Sequence, residues 1–276
     1  MIPHIKKYFA IIVHYGDPDP TQRLVADLLA SSHSLKRIVV VDHALQPLTL
    51  SQTARLQIIR PKQNSGYAGG INLGLGALLA ANPHADDVVI MMNNDIKITT
   101  EIIYRVAAWW EKHPQPAIAG NKRGVLHLLS GRTSLSSDQP LGRGKVGYLH
   151  GAFLTAPFQV MMNMQGLPDS YFMYWEDVAL SIRAARKHIP LQTIPDLLLS
   201  HDDQAKPYYS DNHLYYLVRN GALFLEQETS PLWRMFWLVK NRLRLVYHTL
   251  KSSRPVIRSA LKDAVARKTG PRPAIR

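Results

Sequence analysis

The chain has no cysteine. Disulfides, thiolate metal sites and cysteine nucleophiles are therefore excluded. Any metal must be held by carboxylate, imidazole, amide or phosphate oxygen. A long apolar run is also missing: nothing approaches the roughly 18–20 apolar residues that a membrane-spanning helix needs. The opening MIPHIKKYFAIIVHYG has two lysines followed by only a short apolar run, Phe9–Val13. That run is too short for the core of a secretory signal and suits a first strand better. These absences predict a soluble protein of a reducing compartment, the cytosol.

Acidic residues are nearly absent from the last stretch. Residues 231–276 hold twelve of the 33 lysines and arginines but one of the 20 acids, Asp263. The net charge of +13 thus belongs to this tail, and residues 1–230 are close to neutral. A nucleic-acid binder would spread its bases over the fold, so no nucleic-acid partner is expected. A neutral body with a basic end predicts an appended surface-binding element. Hydrophobic residues make up 46% and charged residues 19% of the 276, a globular composition with room for one large domain or two ordinary ones.

Apolar runs alternate with helical patterns along the first half. YFAIIVHY, KRIVVVDH, RLQIIR and DDVVIMMNND read as strands, while TQRLVADLLASS, INLGLGALLAANP and TTEIIYRVAAWWEKHP read as helices. Thr99 or Thr100 is the expected N-cap of the last of these. Strands apolar throughout belong to a parallel sheet covered on both faces. Residues 120–147, rich in Gly, Ser and Arg, predict a flexible or two-stranded excursion. VGYLHGAFLTAP returns to strand character. A helix is expected from about Asp177, and another over NHLYYLVRNGALFLEQE.

Ligands of an open parallel sheet bind beyond the carboxyl ends of its strands. Asp17, Asp42 and Asp95 all stand at such ends. Each alone could be an ordinary turn or capping residue; together they predict one crevice. NSGYAGGIN, between a strand and a helix, could cradle phosphate on its backbone N–H groups or be only a tight turn. It is neither GxGxxG nor a Walker A sequence. Asn93-Asn94-Asp95 interrupts the apolar run VVIMM, and a carboxylate there could hold a hard cation on a diphosphate. Glu176 and Asp177 open a helix, where anions are favoured. Tyr171, Phe172, Tyr174 and Trp175 precede them, as core or as a platform for a sugar ring. His201, next to Asp202 and Asp203 at a strand end, is a metal-ligand candidate.

The order IIVHY, IVVVDH, NSGYAGGINLGL, VVIMMNNDI, GYLHGAFLTA, YFMYWEDVALSIRA, LSHDD, YYLVRNGALFL, over roughly residues 8–226, resembles the family 2 glycosyltransferases. The rhamnosyl- and galactofuranosyl-transferase-like branch is the nearest look. The resemblance implies a GT-A fold, a mixed but mainly parallel Rossmann-like sheet with helices on both faces, here with a C-terminal helical extension. It implies transfer with inversion from a nucleoside-diphosphate sugar, dTDP-rhamnose or a UDP-sugar. Asp177 would be the general base. Asp95 and His201 would be ligands of Mg²⁺ or Mn²⁺. Asp42 would read the nucleobase, with Tyr15, Asn64, Gly66, Gly69, Gly70, Asn93 and Asn94 along the donor. His150, Gly151, Trp175, Glu176 and Arg183 would line donor and acceptor. The family's usual DNGS is DHAL here, and its EDVDL is EDVAL.

The expected organisation is a catalytic domain over 1–230 and a basic amphipathic helical tail over 231–276. The donor half would occupy about 1–113 and the acceptor half 114–230. In the tail, Leu232, Phe236, Val239, Leu243, Val246 and Leu250 form a helical stripe, broadened by Trp233 and Trp237. Such a helix reads as a membrane-surface element, suited to a lipid-linked or glycan acceptor at the inner face of the cell membrane in lipopolysaccharide or O-antigen assembly. Packing on the catalytic domain or on a second copy in a homodimer is the other use of the stripe. A nucleotidyltransferase and a non-catalytic basic adaptor are the competing functions. The first would carry a basic Gly-rich loop after strand one, which HYGDPDPTQR does not supply.

Overall fold

The computed structural model describes residues 5–31, 35–135, 142–197, 199–201, 210–251 and 254–272. The four apolar runs of the first half become β1 (Tyr8–His14), β2 (Leu35–Asp42), β3 (Leu56–Ile59) and β4 (Val88–Asn93). Between and after them stand α1 (Pro18–Ala30), α2 (Gly66–Leu78) and α3 (Thr100–Lys112), with the short β5 (Ile96–Lys97) just beyond β4. All four strands are parallel.

β4 shows why these strands are apolar throughout. Val88, Ile90 and Met92 pack with α1 and α3 on one face, and Val89 and Met91 pack with α2 on the other. A strand covered on both sides has no face to give to water.

Beyond β4 the sheet continues through β10 (Phe153–Pro157), β6 (Ile118–Gly120) and β11 (Leu191–Thr193), giving seven strands in the order β11-β6-β10-β4-β1-β2-β3. β10 runs antiparallel to both its neighbours. The stretch expected to be a flexible or two-stranded excursion is a three-stranded antiparallel sheet of β7 (Arg123–His127), β8 (Arg132–Leu135) and β9 (Lys145–Leu149). Its third strand comes from VGYLHGAFLTAP, which the His150–Ala152 turn divides between β9 and β10. α4 (Phe158–Met164), unforeseen in the sequence, covers β10, and α5 (Glu176–Arg186) follows. β12 (Ser200–His201) pairs antiparallel with β5.

α6 (Asp211–Gln227), α7 (Pro231–Leu250) and α8 (Pro255–Val265) form a bundle packed on α5 and the three-stranded sheet. The tail is therefore continuous with the body of the fold. α7 docks through Trp237, which is 1% exposed and donates its indole N–H to Leu128 O at 2.8 Å. Asn241, one turn on, is fully buried and donates to Glu226 Oε1 at 2.9 Å. The apolar stripe read from the sequence faces away from this contact: Val239, Leu243 and Val246 are each more than half exposed. Trp237 does not broaden that stripe, because it lies on the opposite, docked side.

The two sides of α7 should respond differently. Trp237→Ala is expected to lower stability by about 3–5 kcal/mol, while Leu243→Ser changes it by less than about 0.5 kcal/mol. Urea denaturation of both variants checks this; equal losses would contradict the docked orientation.

Candidate active site

The carboxyl ends of β1 and β4, the N-terminus of α2 and the His150–Ala152 turn meet at a cavity of about 730 Å³. Of the residues singled out in the sequence, Tyr15, Asn64, Gly66, Asn93, Asn94, His150, Gly151, Trp175, Glu176 and Asp177 line it. Asn93 ends β4 at this lip, and Asn94-Asp95 is the turn into β5. The apolar Ile96 and Ile98 that follow are each 3% exposed. The amides at the end of a buried strand are thus its rim on the cavity. Asn94 is tied down by donating to Thr21 Oγ1 at 3.0 Å.

Asp177 sits at the start of α5. Its Oδ2 accepts from Gly151 N–H at 2.9 Å and its Oδ1 from Val178 N–H at 2.8 Å. Gly151 allows this approach, since a Cβ there would meet Asp177 Cβ at 2.9 Å. Burial raises the Asp177 pKa, and the nearby His150 and the two amides pull it back down. Glu176 is 7% exposed, and its Oε2 has no hydrogen-bond partner. Burial first, and the Asp177 charge second, push the Glu176 carboxyl above the ordinary carboxylate range. Two adjacent carboxylates thus meet different fates: one is fixed by amides, the other favours its neutral form.

Tyr67 joins the two sides of the cavity. Its hydroxyl donates to Gly151 O at 3.1 Å. Burial raises its pKa most, and the charges of Glu176, Asp177 and Asp95 add to the effect. Asp95 is thus within electrostatic reach of Tyr67, although it is not part of the cavity lining. His201 pairs through its backbone with Ile96, the residue after Asp95. Asp202 and Asp203 lie outside the described residues.

An aromatic-rich turn forms the opposite wall. Phe172, Tyr174 and Trp175 line the cavity with φ of 66°, 63° and 74°. Left-handed backbone in such residues costs roughly 1–3 kcal/mol each and persists only where surroundings impose it. Asn220, fully buried, imposes it here: its amide donates to Tyr171 O at 2.6 Å, Met173 O at 2.7 Å and Tyr174 O at 3.2 Å. The Trp175 indole donates to Leu217 O at 3.2 Å, and Tyr67 N–H donates to Phe172 O at 2.8 Å. Arg219, also fully buried, donates to Asn220 Oδ1 at 2.9 Å and to Gly270 O at 2.7 Å. Of the four aromatics seen in the sequence, Tyr171 is core, at 1% exposure, and the other three face the cavity.

Several expectations are corrected. Asp17 does not join the crevice: it is exposed and caps α1, accepting from Asp19 N–H. Asp42 does not line the cavity either. Its carboxylate is consumed beneath the floor by Ala44 N–H, Leu48 N–H and Arg60, at 2.9, 2.9 and 2.8 Å. Arg183 points away, paired with Glu228. α2 starts earlier than expected, within the glycine segment. Its Gly66 N–H is taken by Asn64 Oδ1 at 2.8 Å and its Tyr67 N–H by Phe172 O, so these two amides are not open to phosphate. Gly69 and Gly70 lie against Ser65 and Val13 inside the packing. Gly66 itself has φ +75°, and a Cβ there would fall 2.0 Å from Phe172 O. Thr99 occupies the N-cap position of α3 without a side-chain bond.

Tyr67, His43, Tyr148, His213 and Tyr216 line the cavity without having been singled out. Tyr67 lies inside the quoted glycine motif, so the motif marked the place. His43, Tyr148 and Tyr216 likewise fall inside quoted motifs (IVVVDH, GYLHGAFLTA and YYLVRNGALFL), which marked the place without marking the side chain.

A model of the family described as Glycosyl transferase family 2 matches residues 9–155. The chain belongs to glycosyltransferase family 2. A curated relative, the N-acetylglucosaminyl-diphospho-decaprenol L-rhamnosyltransferase of Mycobacterium tuberculosis, is 22% identical over 94% of this chain and 95% of the relative. Among solved structures, the mannosyltransferase PcManGT from Pyrobaculum calidifontis in complex with GDP-Man and Mn²⁺ is similar with a TM-score of 0.52. It is 12% identical, over 95% of this chain and 87% of that one. S. aureus TarS 1-349 is similar with a TM-score of 0.51 and 15% identity, over 94% and 81%. These likenesses bear out the GT-A fold, and family membership leaves the nucleotidyltransferase and adaptor alternatives without support.

Glu176 gives a pH signature. Its folded pKa is raised, so the native state binds more protons than the unfolded chain above the ordinary glutamate range. Stability therefore falls as pH rises through that window. Glu176→Gln should lessen this fall, the raised Asp177 keeping the remainder. The variant is expected to melt at or above the wild-type temperature at alkaline pH and to lose that advantage at acid pH. Parallel melting profiles for the two proteins would contradict the buried, neutral Glu176.

Proposed function

We propose that this glycosyltransferase moves a sugar, with inversion, from a nucleoside-diphosphate sugar to a hydroxyl of a lipid-linked glycan. The observation that carries the reading is Asp177, fixed by two backbone amides at the cavity and flanked by a carboxyl that favours its neutral form. In a single displacement one base takes the proton of the attacking hydroxyl, and no protein nucleophile is needed. Asp177 is the group held for that step, and its raised pKa improves it as a base. Tyr67, hydrogen-bonded to Gly151 O, keeps the His150–Gly151 turn in register with the carboxylates. The Phe172, Tyr174 and Trp175 rings give a sugar an apolar face to lie on.

The residues fit a divalent cation. Asp95 supplies a carboxylate within electrostatic reach of Tyr67 at the cavity, and the strand pairing sets the His201 backbone opposite Ile96, the next residue. Among the described residues no three His, Asp or Glu side chains form a ready cage. That suits a cation which keeps most of its coordination for diphosphate oxygens and water, as Mg²⁺ commonly does. When bound, Mg²⁺ or Mn²⁺ would offset the charge of the leaving nucleoside diphosphate. The mannosyltransferase with GDP-Man and Mn²⁺ supports this by fold analogy.

A rhamnosyl group and a lipid-diphosphate acceptor follow the mycobacterial relative, and dTDP-rhamnose or a UDP-sugar is the donor that the family resemblance implies. No described helix is long and apolar enough to cross a membrane. The exposed stripe of α7, with Arg234 and Arg242 also exposed, suits attachment to an anionic leaflet. Surface-polysaccharide assembly at the inner face of the cell membrane is the matching setting.

A panel of nucleotide sugars, screened by thermal shift with Mg²⁺ or Mn²⁺, should pick out the donor by a raised melting temperature. Asp177→Asn is expected to lower kcat by about 10²–10⁴-fold while donor affinity by calorimetry stays level; full turnover would overturn the base assignment. Asp95→Ala should erase the difference that added Mn²⁺ makes to nucleotide-sugar affinity. A retained metal effect would remove Asp95 from the cation site.

A further inference from the structure

A second groove, of about 720 Å³, opens off the catalytic cavity. Thr133, Trp175 and Leu217 line both, so the two are contiguous. Arg132, from the β7–β8 hairpin, and Lys240 and Arg244, from α7, bring three cations to the groove, and its lining has no Asp or Glu. None of the three is in an ion pair among the described residues. Lys240 donates one bond, to Leu129 O at 2.8 Å, and its ammonium stands over the Trp237 ring at 4.2 Å. Two of its three donors are uncommitted. Arg244 donates to Asn241 Oδ1 at 3.1 Å.

Gathering cations without a counter-ion is unfavourable. Burial lowers the pKa of both α7 cations, and Arg244 lowers that of Lys240 further. A bound anion would reverse this penalty. It must be an anion that the catalytic cavity requires close by.

We infer that this groove binds the diphosphate of a prenyl-diphosphate-linked acceptor. The inference rests on the lipid-linked acceptor reading above. In such an acceptor the sugar hydroxyl, the diphosphate and the prenyl chain follow one another. A sugar attached directly to diphosphate puts the phosphates one ring away from the attacking hydroxyl, so their site has to adjoin the cavity. The carboxylate-bearing cavity and the cationic groove beside it offer matching chemistries for the sugar and the diphosphate in that order. Guanidinium and ammonium groups are the usual ligands of phosphate oxygens. The aromatic turn, through Trp175, is the partition between sugar and phosphate.

The test uses the full chain with farnesyl diphosphate as probe, read by calorimetry, with farnesol, inorganic pyrophosphate and phosphatidylglycerol vesicles as separate arms. Farnesyl diphosphate should bind in the presence of saturating nucleoside diphosphate, and farnesol should bind far more weakly. Lys240→Gln should weaken farnesyl diphosphate binding roughly tenfold, the loss of one charge-assisted hydrogen bond. Arg132→Gln, at an exposed side chain, should weaken it in the same direction and keeps the test open if the Lys240 variant folds poorly. Both variants should retain nucleotide-sugar affinity.

Displacement by nucleoside diphosphate would assign the phosphates to the donor site and overturn the proposal. Unchanged binding in both variants would do the same. So would variants that lose only the vesicles, which would make the groove a leaflet contact. If wild-type protein binds farnesyl diphosphate but no nucleotide sugar, the transferase reading falls while the groove stands.

Discussion

One buried amide sets the geometry on which the rest of the site depends. Asn220 reaches from α6 into the aromatic turn and satisfies three of its carbonyls. Those carbonyls point inward because the turn is left-handed at Phe172, Tyr174 and Trp175. Tyr171 O also accepts from Met173 N–H, so it is at Met173 O and Tyr174 O that the Asn220 amide chiefly offsets the cost of an unmet acceptor. With that amide, the strained turn delivers the chain to α5 so that Glu176 and Asp177 emerge at the cavity. The carboxylates are therefore placed by side-chain packing and backbone bonds from a helix more than forty residues further along the chain.

The same neighbourhood explains the division between the two carboxylates. The His150–Gly151 turn offers an amide to Asp177 and a carbonyl to Tyr67. Glu176 receives no such donor at Oε2. Burial raises the pKa of both, and at Asp177 His150 and the Gly151 and Val178 amides oppose that rise. A sheet with β10 reversed makes this possible, because the reversal turns the chain at residues 150–152, directly beside the end of β4.

The fold was largely legible in the sequence, and for a clear reason. A doubly covered parallel sheet writes itself as apolar runs without alternation, and Val88–Met92 shows this without ambiguity. The rim was legible too, since Asn93–Asp95 breaks that run. What sequence could not deliver was the direction of a side chain after the backbone has turned. Asp42 stands at a strand end like Asp95, yet Arg60 and two loop amides draw it under the floor. The glycines of NSGYAGG looked like a phosphate cradle, but Asn64 Oδ1 and Phe172 O take two of the amides. The stripe on α7 was read correctly as a stripe. Its orientation was not readable, because Trp237 and Asn241, spaced one turn apart, form a second face that periodicity alone does not rank above the first. The cationic groove joins residues of β8, α6 and α7 that no local pattern links.

Arg219 carries the connection to the end of the chain, since its guanidinium spans Asn220 and the carbonyl of Gly270. Arg272 adds a backbone bond to the Tyr216 hydroxyl at the cavity wall. This has a consequence in time. On the ribosome the sheet and both carboxylates are made long before residue 270, and the turn that aims them is still waiting for its backing. The turn beneath Glu176 and Asp177 thus gains its backing only once Gly270 has been added, so the placing of the pair trails the synthesis of the sheet by many residues.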